Sequence, residues 1–302
     1  MSIFNTLEEN VHAVVVMHEP DIEALHDCLN SLVKQCAQVF VVDNGSSNIA
    51  DINLCIHDSM RLVRLNDNFG IGLAQNLGIQ LALKDGAEYI LLSDQDTAYP
   101  LNYVADMVAC LEKLKNNCKI AAVCPNFFDV NRSELCPMIV DVGPFGNKLK
   151  TATSGLYKVC FANASGMLIP ADAFSGIGLM RGDLFIDCVD TEWCLRANKL
   201  GYAIYCNCDV QITHSLGDKA VSVLGRTITQ RSPIRHYYMT RNSFYLALHS
   251  QHLFLNQRFY FIILALKRVF AHSLLSALRL EILQNGLIGM WHGIICKLGK
   301  HE

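Results

Sequence analysis

The sequence predicts an α/β fold, a mostly parallel sheet flanked by helices, with a basic helical segment at its C-terminal end. Three observations predict it. Short β-branched runs recur and each stops at polar residues, amphipathic helical segments lie between them, and one apolar run ends in two carboxylates a residue apart. Alternating strand and helix implies a parallel sheet, whose ligands collect outside the carboxyl ends of the strands. At 302 residues the chain accommodates one enzyme domain and a helical tail.

The first strand is expected over Val11 to Met17, stopping at His18-Glu19-Pro20. Ile22, Leu25, Leu29, Leu32 and Val33 then form one helical stripe. A second strand over Gln38 to Val42 stops at Asp43-Asn44-Gly45-Ser46-Ser47-Asn48. An Asx turn explains that loop, and Asp43 and Asn44 also suit the imide edge of uracil or thymine and a ribose hydroxyl. In NDNFGIGLAQNLG, residues 66 to 78, Gly70 and Gly72 permit close backbone approach, and the helix over Ile71 to Leu83 would offer N–H groups to a phosphate or sugar. The glycine spacing does not fit G-x-G-x-x-G and no acid follows at the required distance, which rejects NAD.

A third strand ends in LLSDQD at 91 to 96. In extended chain Asp94 and Asp96 share a face, so both approach one divalent cation; Mg²⁺ or Mn²⁺ with a nucleoside diphosphate is the natural client. An Asp-rich turn capping a helix would use the same residues. Further on, Asp187, Asp190 and Glu192 crowd six residues. They suit the first turn of a helix through its macrodipole, and any of the three could serve as a base.

Six pieces taken in order resemble the family 2 glycosyltransferases, inverting enzymes with the Rossmann-like GT-A nucleotide-sugar fold, and among them the bacterial rhamnosyltransferases. The pieces are VVVMHEP at 14 to 20, VVDNGSSN at 41 to 48, LNDNFGIGLAQNLGI at 65 to 79, LLSDQD, FIDCVDTEWCLRANKLGY at 185 to 202 and THSLG at 213 to 217. The resemblance implies a nucleoside role for Asp43, and donor contacts from Asn44, Asn68, Gly70, Asn76, Asp94 and Gln95. It makes Asp96 the metal ligand, with Asp94 beside it and His214 completing the shell. Asp190 becomes the base, although Val189 stands where the family usually has Glu. Glu192 is left to bind an acceptor hydroxyl and Trp193 to form an acceptor wall. Arg235 and Arg241, in RHYYMTRN, would fold over the diphosphate or lie against a membrane.

The implied reaction is transfer of a deoxyhexose, L-rhamnose from dTDP-rhamnose, to a lipid-linked surface polysaccharide of O-antigen or capsule type. A UDP-hexose or UDP-galactofuranose donor is the alternative within the class. A silent nucleotide-sugar-binding partner in a membrane assembly is the alternative outside it, and intact Asp94, Asp96, Asp190 and His214 argue against silence. A nucleotidyltransferase would begin with a Gly- and Lys/Arg-rich loop, which HEPD is not. No nucleic-acid partner is expected.

Charge divides the chain. Residues 1 to 218 carry 14 Lys and Arg against 26 Asp and Glu, and residues 219 to 302 carry 11 against 2. The resemblance covers about the first 245 residues, so a catalytic domain over 1–245 and a basic tail over 246–302 are expected. The apolar runs of the tail fall short of the ~20 residues that span a bilayer. They suit helices at an anionic membrane surface, or equally a bundle packed on the catalytic domain or a homo-oligomer contact. The expected location is cytoplasmic, peripheral on the inner face of the membrane. Thirteen cysteines with no C-x-x-C read as small buried hydrophobes in a reducing compartment. Residues 125 to 154, with their prolines and glycines, are expected to form a mobile insert near the cleft.

Overall fold

A computed structural model describes residues 10–56, 58–130, 133–143, 147–214, 220–223, 226–229, 231–276 and 278–301. The N-terminal half alternates β1 (Val11–Met17), α1 (Ile22–Leu32), β2 (Gln38–Asp43), α2 (Ile49–Cys55), β3 (Met60–Arg64), α3 (Ile71–Lys84), β4 (Tyr89–Asp94), α4 (Tyr103–Lys115) and β5 (Ile120–Asp129). Asp21 starts α1 as an N-cap, its Oδ1 accepting from the Ala24 N–H at 3.0 Å.

Short strands follow: β6 (Glu134–Leu135), β7 (Met138–Val142), β8 (Asn147–Lys150), β9 (Leu156–Val159) and β10 (Met167–Pro170). The segment expected as a mobile insert is therefore built, among the described residues, from β6, which pairs with β5, and a β7–β8 ladder. Next come α5 (Ala171–Ile177), a 3₁₀ turn over Gly182–Leu184, α6 (Val189–Lys199) and β11 (Ala203–His214), then β12 (Ala220–Val223) and β13 (Arg226–Thr229). Three helices complete the chain: α7 (Pro233–His249), α8 (Leu255–Leu275) and α9 (Arg279–Ile294).

The main sheet has the order β3-β2-β1-β4-β10-β5-β11-β9. β10 and β9 run against their neighbours and the other strands of this path are parallel. Alternation along β1 fills both faces of the sheet. Val11, Ala13, Val15 and Met17 pack with Leu25 and Leu29 of α1 and Met107 of α4, whereas Val14 joins Ile79 of α3 and Trp193 of α6.

The boundary expected at residue 245 falls inside α7, and the terminal helices share core with the sheet domain. Tyr260 and Phe261 of α8 pack with Val142, Leu195 and Leu246. Gly289 and Gly293 bring α9 onto α7 backbone to backbone, since a Cβ there would lie 2.4 Å from the Tyr237 and Arg241 carbonyl oxygens. The chain end returns to the catalytic half, where the Gly299 N–H donates to the Asp183 carbonyl at 2.8 Å and Lys300 pairs with Asp67 at 2.7 Å.

Candidate active site

Strand register gathers the polar residues on one edge. Met17 is level with Asp43 and Val16 with Asp94, so β1, β2 and β4 end together. β10 runs the other way, and Met167 opposite Leu92 places the start of β10 at the same edge. The preceding loop is tied there: the Asp94 N–H donates to Ser165 Oγ at 3.0 Å, and Thr97 Oγ1 lies 2.9 Å from the same oxygen.

The β2 end is a buried turn. Asp43 Oδ1 accepts from the Ser46 N–H at 3.0 Å, with Arg64 Nε 3.9 Å from Oδ2. This is the Asx-turn geometry that the sequence allows beside a nucleoside role. Asn44 Nδ2 donates to Asn68 Oδ1 at 3.0 Å, and Gln95 clamps the backbone of His18, accepting from its N–H at 2.8 Å. These side chains join the loops after β1, β2, β3 and β4 to one another. Glu19, with φ 45°, adds a further tie by accepting from the Ser47 N–H at 2.7 Å.

Four expectations around α3 and α6 are corrected by the geometry. The loop leading into α3 and the first helical residue do not offer their N–H groups to an anion. The N–H groups of Phe69, Gly70 and Ile71 already donate to Asn44 Oδ1, Asn68 Oδ1 and the Phe185 carbonyl. Gly70, at φ 87°, is needed because a Cβ would meet the Phe185 carbonyl at 2.4 Å. Asn76 is not a donor contact, because both ends of its amide are spent on the Met180 backbone at 2.8 and 2.9 Å. Glu192 is buried and held by Arg196 through two 3.0 Å hydrogen bonds, which removes it both as a base and as an acceptor contact. Trp193 is fully buried, its indole N–H donating to the Gly178 carbonyl at 2.8 Å, so it forms core and no acceptor wall.

Asp187, the other rival base, is bridged by Arg235 at 2.7 and 2.8 Å and by Arg231 at 3.2 Å. Arg235 thus serves a carboxylate of this chain. Arg241 is corrected too: it is fully buried, with donors committed to Asn242 Oδ1 and the Leu184 and Gly299 carbonyls. Asp190 stands apart from these neutralised acids. It sits half-buried in the first turn of α6, accepts from the Thr191 N–H at 2.7 Å, and faces the Ala164 N–H. Burial pushes its carboxyl above the ordinary value, with the nearby Asp187 acting in the same direction. Ala164 and Ser165 therefore link Asp190 to Asp94 through adjacent residues.

The turn that delivers Asp190 is strained. Phe185, Asp187 and Cys188 all have φ between 62° and 64°, a left-handed conformation that side chains with a Cβ disfavour. Asn242, fully buried on α7, holds the turn by donating from Nδ2 to the carbonyls of Leu184, Ile186 and Asp187 at 2.8 to 2.9 Å. Sequence reading quoted Asn242 and missed this role, as it missed Ser165. A polar residue in an otherwise apolar helix stripe is the one signal that was available for Asn242.

Asp94 is half-buried and Asp96 exposed at the end of β4, and carboxylate oxygens are hard donors of the kind that suit Mg²⁺ or Mn²⁺. Among the described residues no group of three or more His, Cys, Asp or Glu is placed to hold a metal. His214 ends β11 in register with Asp129, and its side chain lies outside the described residues, as does the rest of THSLG from residue 215.

A mostly parallel sheet with acids at the carboxyl ends of its strands and a half-buried carboxylate at a helix start matches the architecture of a GT-A glycosyltransferase. Residues 13–176 match the model of Glycosyl transferase family 2, and the chain belongs to that family. It is rhamnosyltransferase-like: it is 34% identical over 243 residues, 80% of each chain, to dTDP-rhamnosyl transferase RfbF of Shigella flexneri. Solved structures agree in fold. TarS of S. aureus, residues 1–349 in complex with UDP-GlcNAc, superposes with TM-score 0.58 at 16% identity, covering 94% of this chain and 81% of that one. GalNAc-T7 with UDP, GalNAc and Mn²⁺ gives 0.57 at 13% identity, covering 89% of this chain and 57% of that one.

Proposed function

We propose that the protein is an inverting transferase that moves L-rhamnose from dTDP-rhamnose to a lipid-linked surface polysaccharide of O-antigen or capsule type. The 34% identity to a dTDP-rhamnosyl transferase over 80% of the chain carries the donor assignment. Asp190 takes the proton of the acceptor hydroxyl as its oxygen bonds to the anomeric carbon. The bond to the diphosphate breaks on the opposite face and its electron pair leaves with the β-phosphate oxygen, which inverts the centre. Asp43 meets the nucleoside, while Asn44, expected beside it, is spent on bracing the loop through Asn68 and the Phe69 N–H. A divalent cation held through Asp96 and Asp94, with His214 contributing as the family resemblance has it, would neutralise charge on the departing diphosphate.

Thermal stabilisation tests donor and metal together. dTDP-rhamnose with Mn²⁺ or Mg²⁺ is expected to raise Tm more than UDP-glucose, UDP-galactose or UDP-galactofuranose, and EDTA is expected to abolish the difference. Asp96→Ala should lose both the metal-dependent shift and turnover. A preference for a UDP-sugar would reassign the donor, a shift without turnover would favour the silent-partner reading, and no shift with any nucleotide would overturn both.

The membrane assignment rests on the outer surface of the terminal helices. No helix among the described residues is long and apolar enough to cross a bilayer. Yet Leu255, Phe259, Leu266, Phe270 and Leu274 of α8 are all exposed, as are Leu280, Leu283, Leu287 and Trp291 of α9. Both sets recur at helical spacing beside a run free of acids from Lys219 to Leu280. The full chain is expected to co-float with anionic phosphatidylglycerol vesicles at low salt, and Phe259→Ser with Phe270→Ser to release it. A soluble dimer that ignores vesicles would assign the same surface to a homo-oligomer.

A further inference from the structure

The segment after α9 reaches the donor edge of the sheet, and the reaction proposed above gives it no part. The Gly299 N–H donates to the Asp183 carbonyl at 2.8 Å, and the Gly299 carbonyl accepts from Arg241. The His301 N–H donates to Tyr238 Oη at 2.8 Å, and the His301 ring stacks on Tyr237 with centroids 3.9 Å apart. Between these two anchored residues Lys300 extends to Asp67, its Nζ 2.7 Å from Oδ1.

Asp67 belongs to the loop after β3 and leans on the Asp43 turn, since a Cβ on Gly45 would lie 2.5 Å from the Asp67 carbonyl carbon. The sheet order β3-β2-β1-β4 sets the end of β1 between Asp43 on β2 and Asp94 on β4. A donor whose nucleoside meets Asp43 and whose diphosphate meets a cation at Asp94 and Asp96 therefore crosses the end of β1, which His18 follows. His18 and Lys300 both act electrostatically on Asp67. The Lys300–Asp67 pair thus stands beside the middle of the donor's path.

A diphosphate calls for a cation, and the two arginines expected to meet it serve this chain instead. Arg235 bridges Asp187, and Arg241 is buried against the Leu184 and Gly299 carbonyls. Lys300 is differently placed. Its side chain is 48% exposed and that of Asp67 58%, and an ion pair so open to water contributes little and parts readily. Its ammonium is a compact charge on a flexible four-carbon stem, which suits a phosphate oxygen.

We infer that Lys300 is a donor-binding residue, which leaves Asp67 and donates to the diphosphate of the bound nucleotide sugar. The inference rests on the transferase reading. It adds a ligand delivered from the terminal helices, beyond the residues 13–176 that the family model matches.

Calorimetric titration of the full chain with dTDP-rhamnose, dTDP and uncharged thymidine, each with Mg²⁺, tests it on Lys300→Met, Asp67→Asn and the double variant. Lys300→Met should weaken both nucleotides about tenfold, the worth of one charge-assisted hydrogen bond, and leave thymidine unchanged. Asp67→Asn keeps the oxygen that accepts the Asn68 N–H, releases the ammonium and should tighten both nucleotides. In that background Lys300→Met should again cost about tenfold. No cost there would mean that Lys300 merely neutralises Asp67, which overturns the inference. An equal loss for thymidine would mark a structural brace and overturn it too, as would nucleotide affinity within about twofold of wild type in Lys300→Met. Wild-type protein that binds no nucleotide sugar would overturn the transferase reading and the role of Lys300 with it, whereas an unaffected Lys300→Met in protein that binds dTDP-rhamnose removes Lys300 alone.

Discussion

Asp190→Asn is expected to lower sugar transfer by about 10² or more while leaving the donor-induced Tm shift within a few-fold in apparent affinity. The substitution keeps shape and keeps an oxygen to accept the Thr191 N–H, and removes only the capacity to take a proton. Its rivals are spent elsewhere, Asp187 on Arg231 and Arg235 and Glu192 on Arg196, so neither is placed to substitute. The pH profile follows from the same burial. The base must be ionised, so wild-type kcat/KM should rise along an acidic limb displaced above 3.8, the ordinary Asp value, in the direction that burial moves the carboxyl. The stability effect has the opposite sign. A carboxyl whose pKa is raised by folding favours the folded state while it is protonated and loses that contribution as pH climbs through the raised value. Asp190→Asn should therefore melt no lower than wild type at neutral pH, and the gap should close below pH 3.8. Transfer retained within a few-fold would move the base to another residue.

The framework of this enzyme was legible because it rests on periodicity. β1, β2, β4 and the helices between them are buried on regular spacings, and hydrophobic burial imposes those spacings on any sequence with this sheet. β3 escaped the reading because it is an edge strand with Arg61 and Arg64 in five residues. The positions of Asp43, Asp94 and Asp96 at strand ends could be read for the same reason as the strands. Which polar atoms remain available for a ligand could not be read. That depends on pairings across long sequence separations, such as Asn76 with Met180, Gln95 with His18 and Arg241 with Leu184. Asn76 and Gln95 look like ligand contacts in a motif and prove to be braces. The C-terminal helices were ambiguous because exposed apolar stripes and basic charge describe a membrane surface and a packed bundle equally well. α8 and α9 pack through one face and leave another, apolar face exposed.

Asn242→Leu should be the most damaging change outside the reacting groups. Three consecutive features depend on this amide: a strained turn through Phe185 and Cys188, the Asp187 carbonyl inside it, and the direction in which α6 presents Asp190. Leucine has similar volume, so the loss is in hydrogen bonding and not in a cavity. Leu184 keeps Arg241 as a donor, but the Ile186 and Asp187 carbonyls lose theirs, at about 1–3 kcal/mol each. A total on the order of 2–6 kcal/mol is a large part of the ~5–15 kcal/mol that stabilises a domain. Urea unfolding should show that loss. At a temperature where the variant remains folded, kcat should fall while the KM for donor changes little, because Asn242 braces the base and Asp43, Asn44 and Asp94 lie on other elements. Unfolding free energy within about 0.5 kcal/mol of wild type, a change typical of unconstrained surface sites, would mean that the turn holds its shape without the amide.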